Sequence, residues 1–235
     1  MFDNGYGLNG KAIKQNNDNI RLPHKPEQQI SIINLQPKVA ILISSAYYWH
    51  SWTGDPDNMQ DGFVHEITND PNAQVNKPLK TEEFLPLFLK RRVLPPPTTS
   101  LLVRREVAER ICGFEESFPS LFEDQVFIAK VSLDAPIVLL RGVYELYRQH
   151  MDSCTFIAQK ITGENLKMRL TYLNWQEEYM SALEIKDANL WKTLRKALFE
   201  YRHPVLWAFV YHSKRFVVLM EDRAKNIIKK VIPGL

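Results

Sequence analysis

The chain has 235 residues, 45% of them hydrophobic and 24% charged, with a formal net charge of +3. This composition excludes disordered, collagen-like and disulfide-rich classes, and so weak a charge gives no reason to expect nucleic-acid binding. Two cysteines, Cys112 and Cys154, without CxxC spacing argue against a zinc or redox pair and suit a reducing compartment.

In chain order, residues 1–26 read as a poorly structured segment, rich in Asn, Gly, Gln and Lys and closed by the Pro23-His24-Lys25-Pro26 turn. Ile30, Ile32, Ile33 and Leu35 predict a short helix over 27–35. Val39 to Ser45 is a short, β-branched apolar run and predicts a buried strand. Tyr47 to Asn76, aromatic and then rich in Asp and Asn, predicts a long irregular loop. A helix is expected from Thr81 to Leu89, with Thr81 as N-cap and Glu82 and Glu83 in its first turn. Beyond Pro95-Pro96-Pro97 come a strand over 100–103, a helix over 105–111 stopped by Gly113, and a helix over 122–133. Two further strands are expected at 137–140 and 143–147. From Phe156 the pattern is helical, with breaks near Lys186 and at Pro204. The organisation is mixed α/β over 27–155, followed by a helical extension over 156–235.

The chemistry is concentrated between Ser100 and Ser153. Gly113 closes a turn that delivers Phe114, Glu115 and Glu116. Glu123 and Asp124 then open an apolar helix, where the dipole favours a carboxylate by typically about 0.3–1 kcal/mol. A carboxylate held on a rigid element suits a general base that takes a proton from a hydroxyl. A strand ends in Arg148-Gln149-His150, offering a cation and an imidazole to a diphosphate or a metal. Tyr47, Tyr48, Trp49 and Trp52 form an aromatic cluster that suits either sugar stacking or core packing.

Gly113-Phe114-Glu115-Glu116, Glu123-Asp124 and Tyr147-Arg148-Gln149-His150, preceded by the segment from Thr99 to Arg105, resemble in order and spacing the second half of the family 2 glycosyltransferases. The resemblance covers roughly residues 20–155. It implies an incomplete GT-A-type α/β domain with a mixed sheet. It also implies transfer of a sugar from a nucleotide-sugar donor to a hydroxyl acceptor (saccharide, lipid-linked or protein) with inversion. Asp124 would be the base and Glu123 its neighbour. Arg148, Gln125, Trp49 and Trp52 would bind substrate, and His150 and Asp18 would touch a divalent metal, Mn or Mg. No Gln-x-x-Arg-Trp signature follows the acidic pair, so a single transfer is expected rather than polymer synthesis.

The family's early acidic motifs have no full counterpart. Asn16 and Asn19 stand where acids belong, and Gly7 to Gln15 is too polar for a central parallel strand. The resemblance therefore implies that most of the nucleotide-binding half is lacking, as in a truncated gene product or in one half of a split enzyme whose partner chain would supply it. The alternative is a catalytically inactive remnant serving as a carbohydrate- or protein-binding module. The start Met1 to Gly5 carries no leader-like pattern, and the apolar stretch from Pro204 to Met220 is interrupted by His212 to Arg215. The expected location is cytoplasmic, with the basic aromatic tail from Arg195 to Lys230 suiting either a solvated face or peripheral contact with a membrane.

Overall fold

The computed structural model describes residues 19–55, 61, 64–65, 67–68, 70, 73–118, 121–150, 156 and 164–209. Six strands and six helices are named among them. They are β1 (Ile20–Arg21), α1 (Lys25–Asn34), β2 (Ile41–Trp49), β3 (Val64–His65), β4 (Pro78–Leu79), α2 (Thr81–Leu89), β5 (Leu101–Val103), α3 (Arg105–Arg110), α4 (Glu123–Asp134), β6 (Ile137–Arg148), α5 (Glu164–Ala182) and α6 (Ala188–Arg202). The expectation of a mixed α/β architecture holds at that level.

The sheet is built on two long strands. β2 and β6 run parallel, paired from Ile41 opposite Ile137 to Trp49 opposite Arg148, with register shifts between Ser44 and Ser45 and between Ser45 and Tyr47. Short antiparallel strands complete both: β5 and β3 flank the two halves of β2, and β4 and β1 flank the two halves of β6. The first three residues of β2 and the first four of β6 are apolar on both faces, as a covered parallel pair requires. Alternation then sorts the side chains. Ile41, Ile43, Ile137 and Leu139 join the larger core with residues of α2, α3, α4, α5 and α6. Leu42, Val138 and Leu140 face the other way, with Ile33 of α1, Val39 and Tyr144. The result is three layers, with one helix below the sheet and five above it.

Sequence and structure part in several places. The strand expected to stop at Ser45 continues to Trp49, because β6 extends alongside it and supplies a ladder partner. The aromatic start of the expected loop is therefore sheet, followed by a 3-10 turn at Ser51–Thr53 and then β3 and β4. The two strands expected at 137–140 and 143–147 are one strand with a bulge: Ser44 pairs Leu140, but Ser45 pairs Val143. Gly142 sits in that bulge at φ +138°, where a Cβ would lie 3.2 Å from the Tyr144 ring. Asn76 closes the gap by accepting from Arg141 N through Oδ1 at 3.0 Å and donating from its own N to Leu139 O at 2.7 Å. Part of the segment expected to be unstructured is ordered as well, since Ile20 and Arg21 pair with Leu146 and Glu145.

The helices expected at 27–35, 81–89, 105–111 and 122–133 form within a residue or two of those bounds. Lys80, rather than Thr81, caps α2: its N–H donates to Glu83 Oε2 at 2.9 Å. Thr81 Oγ1 instead donates to Ser132 O at 2.7 Å, tying the start of α2 to the end of α4. The expected break near Lys186 falls between α5 and α6, with Glu184 at φ 51° and Asp187 capping Leu190 N at 2.8 Å. Tyr172, Leu173, Met180, Leu190, Leu194 and Leu198 of these two helices share one buried cluster with the sheet. The helical extension is thus continuous with the α/β core.

A buried polar network holds the sheet to α1. Glu145 is fully buried and accepts from Lys25 Nζ at 2.7 Å, Thr99 Oγ1 at 2.8 Å and Ser100 Oγ at 2.6 Å. Burial pulls the Lys25 ammonium below the ordinary lysine value, opposed by the Glu145 charge. Removing one member of such a pair strands the other's charge in the interior. Glu145→Ala should therefore lower unfolding stability by about 3–5 kcal/mol. The double substitution K25M/E145L should recover most of that loss in urea unfolding.

Candidate functional site

The first turn of α4 begins abruptly. Phe122 takes a left-handed conformation, φ 68°, and Glu123 and Asp124 follow at once. The preceding turn anchors the helix, as the sequence suggests. Phe114 stacks on Phe127 with centroids 4.5 Å apart, and buried Lys130 donates to Gly113 O at 3.0 Å and pairs with Glu115 at 3.7 Å.

Asp124 retains a little surface, but its carboxyl group is packed in, accepting from Gln125 N at 2.7 Å. Burial, and secondarily the charge of Glu123, push its proton affinity up to about 7. The enclosing wall comes from α5. Tyr172 is completely buried, and its phenol is driven to higher pKa by burial, with the Asp124 charge adding to that and Arg169 opposing it. Arg169 donates to Leu89 O at 2.9 Å and, over a longer 3.4 Å, to Gln125 Oε1, so Gln125 links the acid's helix to α5. One turn beyond Tyr172, Gln176 is fully buried. Neither end of its amide, nor the Tyr172 hydroxyl, has a hydrogen-bond partner among the described residues. These are unfulfilled polar groups beside a carboxyl of raised proton affinity, a combination concentrated at functional sites.

A second group lies at the C-terminal end of the β2–β6 ladder. The Arg148 guanidinium sits over both Trp49 and Trp52, 5.3 Å and 5.1 Å from the ring centroids. Trp52 Nε1 donates to Gln149 O at 3.0 Å, and Gln149 N donates to Trp49 O at 3.1 Å, closing the two segments on one another. Asn19 accepts from Arg148 N at 3.1 Å and donates to Thr99 Oγ1 at 3.2 Å. Asp61 fixes the turn: its Oδ1 accepts from His50 N at 2.7 Å and Ser51 N at 2.8 Å, and its Oδ2 accepts from the Ser51 hydroxyl. Those bonds, the Ser51 hydroxyl first, hold the Asp61 carboxyl below the usual range.

The structure thus unites Arg148, Trp49 and Trp52, and it unites Glu123, Asp124 and Gln125. His150 is half-buried two residues past β6. The chain turns from α4 into β6 at Ala135–Pro136, so the acid pair and Arg148 each lie at the end of their element farther from that turn. Twelve helical residues span about 18 Å and twelve strand residues about 40 Å. The acid therefore stops short of Arg148 along the strand. Asp18, Ser153 and Cys154 lie outside the described residues. Among the described residues no group of three His, Cys, Asp or Glu side chains converges as a metal ligand set.

Sequence reasoning missed Tyr172, Arg169 and Gln176, which belong to the segment read only as helical extension. It also missed Glu145, although a lone acid between Tyr144 and Leu146 inside an apolar strand is a visible signal. No protein-family model matches this sequence, and a search of curated proteins finds no match.

An acid whose folded proton affinity exceeds its unfolded value binds more protons in the native state between about pH 4 and pH 7. Its contribution to stability therefore declines as pH rises through that window, by at most about 4 kcal/mol. Asp124→Asn should match the parent in urea unfolding near pH 4. It should be more stable near pH 8 by on the order of 2–4 kcal/mol.

Proposed function

We propose that this chain carries the acceptor side of a glycosyl-transfer site, with Asp124 as general base. The observation that supports the reading best is the carboxyl at the head of α4, enclosed by α5 so that its proton affinity rises to about 7. A base of that strength is half-ionised at neutral pH and takes a hydroxyl proton more readily than an ordinary carboxylate. In the proposed step an acceptor hydroxyl gives its proton to Asp124 while its oxygen bonds to the anomeric carbon of a nucleotide sugar. The bond from that carbon to the nucleoside diphosphate breaks, the electron pair leaves with the diphosphate, and the configuration inverts.

Glu123 keeps the proton affinity of Asp124 high through its own charge. Gln125 and Arg169 brace the first turn of α4 against α5. Arg148, held between Trp49 and Trp52, presents a fixed cation at the end of the parallel strands, the region where open α/β sheets take ligands. A diphosphate is the chemistry that such a cation suits. In this reading the nucleotide-binding surface comes from outside the described residues, and a divalent metal, of the kind the resembling family uses, would be held jointly with it.

A binding role without catalysis is the second reading. What favours it is the pair of tryptophans, Trp49 and Trp52, gathered around Arg148, aromatic rings of the kind that hold saccharides. One assay separates the two. Transfer or donor hydrolysis should be followed with a panel of nucleotide sugars, with and without candidate partner chains. Asp124→Asn should reduce the rate by about 10²–10⁴-fold and abolish an acidic limb near pH 7 in the pH–rate profile. Saccharide binding that survives Asp124→Asn, with no turnover under any condition, would decide for the binding module.

A further inference from the structure

A cleft on the helical side of the molecule lies apart from the Trp49–Arg148–Trp52 group. It is walled by the end of α2 and by α6, with a volume of about 550 Å³, within the range of small-molecule sites. Its lining carries six cations, Lys90, Arg91, Arg92, Arg169, Lys192 and Lys196, against one carboxylate, Glu200. Among the described residues none of the six makes an ion pair. Like charges gathered in one concavity repel one another, and a fold that keeps six of them together with one carboxylate leaves their attraction to an outside anion.

The floor of the cleft is the most telling part. Arg169 is buried, and among the described residues its guanidinium has neutral partners: the Leu89 carbonyl, the Gln125 amide and the Tyr201 hydroxyl accept from it, and the Tyr172 ring lies 5.0 Å away. Its Nε–H is buried with no partner. The nearby charge that acts on it is another cation, Arg91. A buried guanidinium without a carboxylate is costly unless an anion completes it. Arg91 is itself positioned: it takes a left-handed backbone, φ 56°, and lies over the Tyr201 ring at 5.9 Å. Arg92 is fixed through its carbonyl, which accepts from Thr68 Oγ1 at 2.8 Å.

From this arrangement we infer that the cleft between α2 and α6 is a binding site for a multiply charged phosphate ligand. A single negative charge would leave most of the six cations uncompensated, whereas an oligophosphate or a phosphomonoester-bearing headgroup neutralises several at once. Guanidinium groups suit phosphate oxygens because they donate two parallel bonds. Tyr201, Trp207 and Ala197 line the same cavity and offer an apolar flank to whatever the phosphate is attached to. The site stands independently of whether Asp124 catalyses transfer.

The test uses the full chain and inorganic tripolyphosphate in calorimetry at low salt. Binding with a dissociation constant below about 1 mM is expected, weakening as salt screens the cations. Arg92, Lys192 and Lys196 are exposed, so R92A/K192A/K196A should fold normally and should weaken binding at least about tenfold. The control K38A/K77A/R105A removes the same charge elsewhere and should bind as the parent does. A parallel arm uses sedimentation with phosphatidate vesicles against phosphatidylcholine vesicles. Cleft-dependent binding in that arm alone assigns the phosphate to a lipid headgroup; binding of tripolyphosphate assigns it to a soluble ligand. No binding in either arm, or equal loss in the cleft and control variants, overturns the site.

Discussion

The parallel ladder between β2 and β6 is the constraint on which the remaining structure hangs. Parallel strands cannot be joined by a tight turn, so the chain must travel from Trp49 to Ile137 and return. It uses that excursion to lay down β3, β4, β5 and helices α2, α3 and α4. Every other strand is short and antiparallel and covers one half of one long strand. The ladder also sets both candidate ligand regions. Its C-terminal end brings Arg148 opposite Trp49, and its upper face carries α4, whose first turn bears the acid.

The bulge at Gly142 changes how β6 serves that plan. Before it, Ile137 to Leu140 are core residues on both faces. After it, the strand carries Glu145, Tyr147 and Arg148, which are committed to polar and aromatic partners. The extra residues at the bulge bend and re-register the strand, as bulges beside functional sites commonly do. The Lys25–Glu145–Ser100 network pins the re-registered half to α1 and to the turn before β5. Asn19 connects that network, through Thr99, to Arg148. A structural ion pair and a candidate binding cation thus share one chain of hydrogen bonds.

On the other side of the sheet, α5 has two consequences. Tyr172 lies beside Asp124, and Arg169 of the same helix forms the floor of the basic cleft. Gln125 lies between them, bonding to Arg169 from the acid's own helix. Burial explains both features. It raises the proton affinity of a carboxyl, and it leaves a guanidinium in need of an anion. Among the described residues no helix is long and apolar enough to cross a membrane.

Much of the local structure was legible in the sequence because it depends on neighbours a few residues apart. The helical period marked α2, α4 and α6, apolar β-branched runs marked the starts of β2 and β6, and Gly113 marked a stop. The acid pair at the head of α4 was legible for the same reason: its place follows from where the helix begins. Tertiary structure alone decided the rest. Trp49 became strand rather than loop because β6 ran beside it, and two expected strands became one because Ser44 and Ser45 skip two residues of their partner. Lys25 found Glu145 across 120 positions, and Asp124 acquired its raised proton affinity chiefly from burial in the folded chain, beside a tyrosine of a helix more than forty residues away. Such pairings depend on which surfaces meet after the chain has closed, and spacing along the chain carries no record of that.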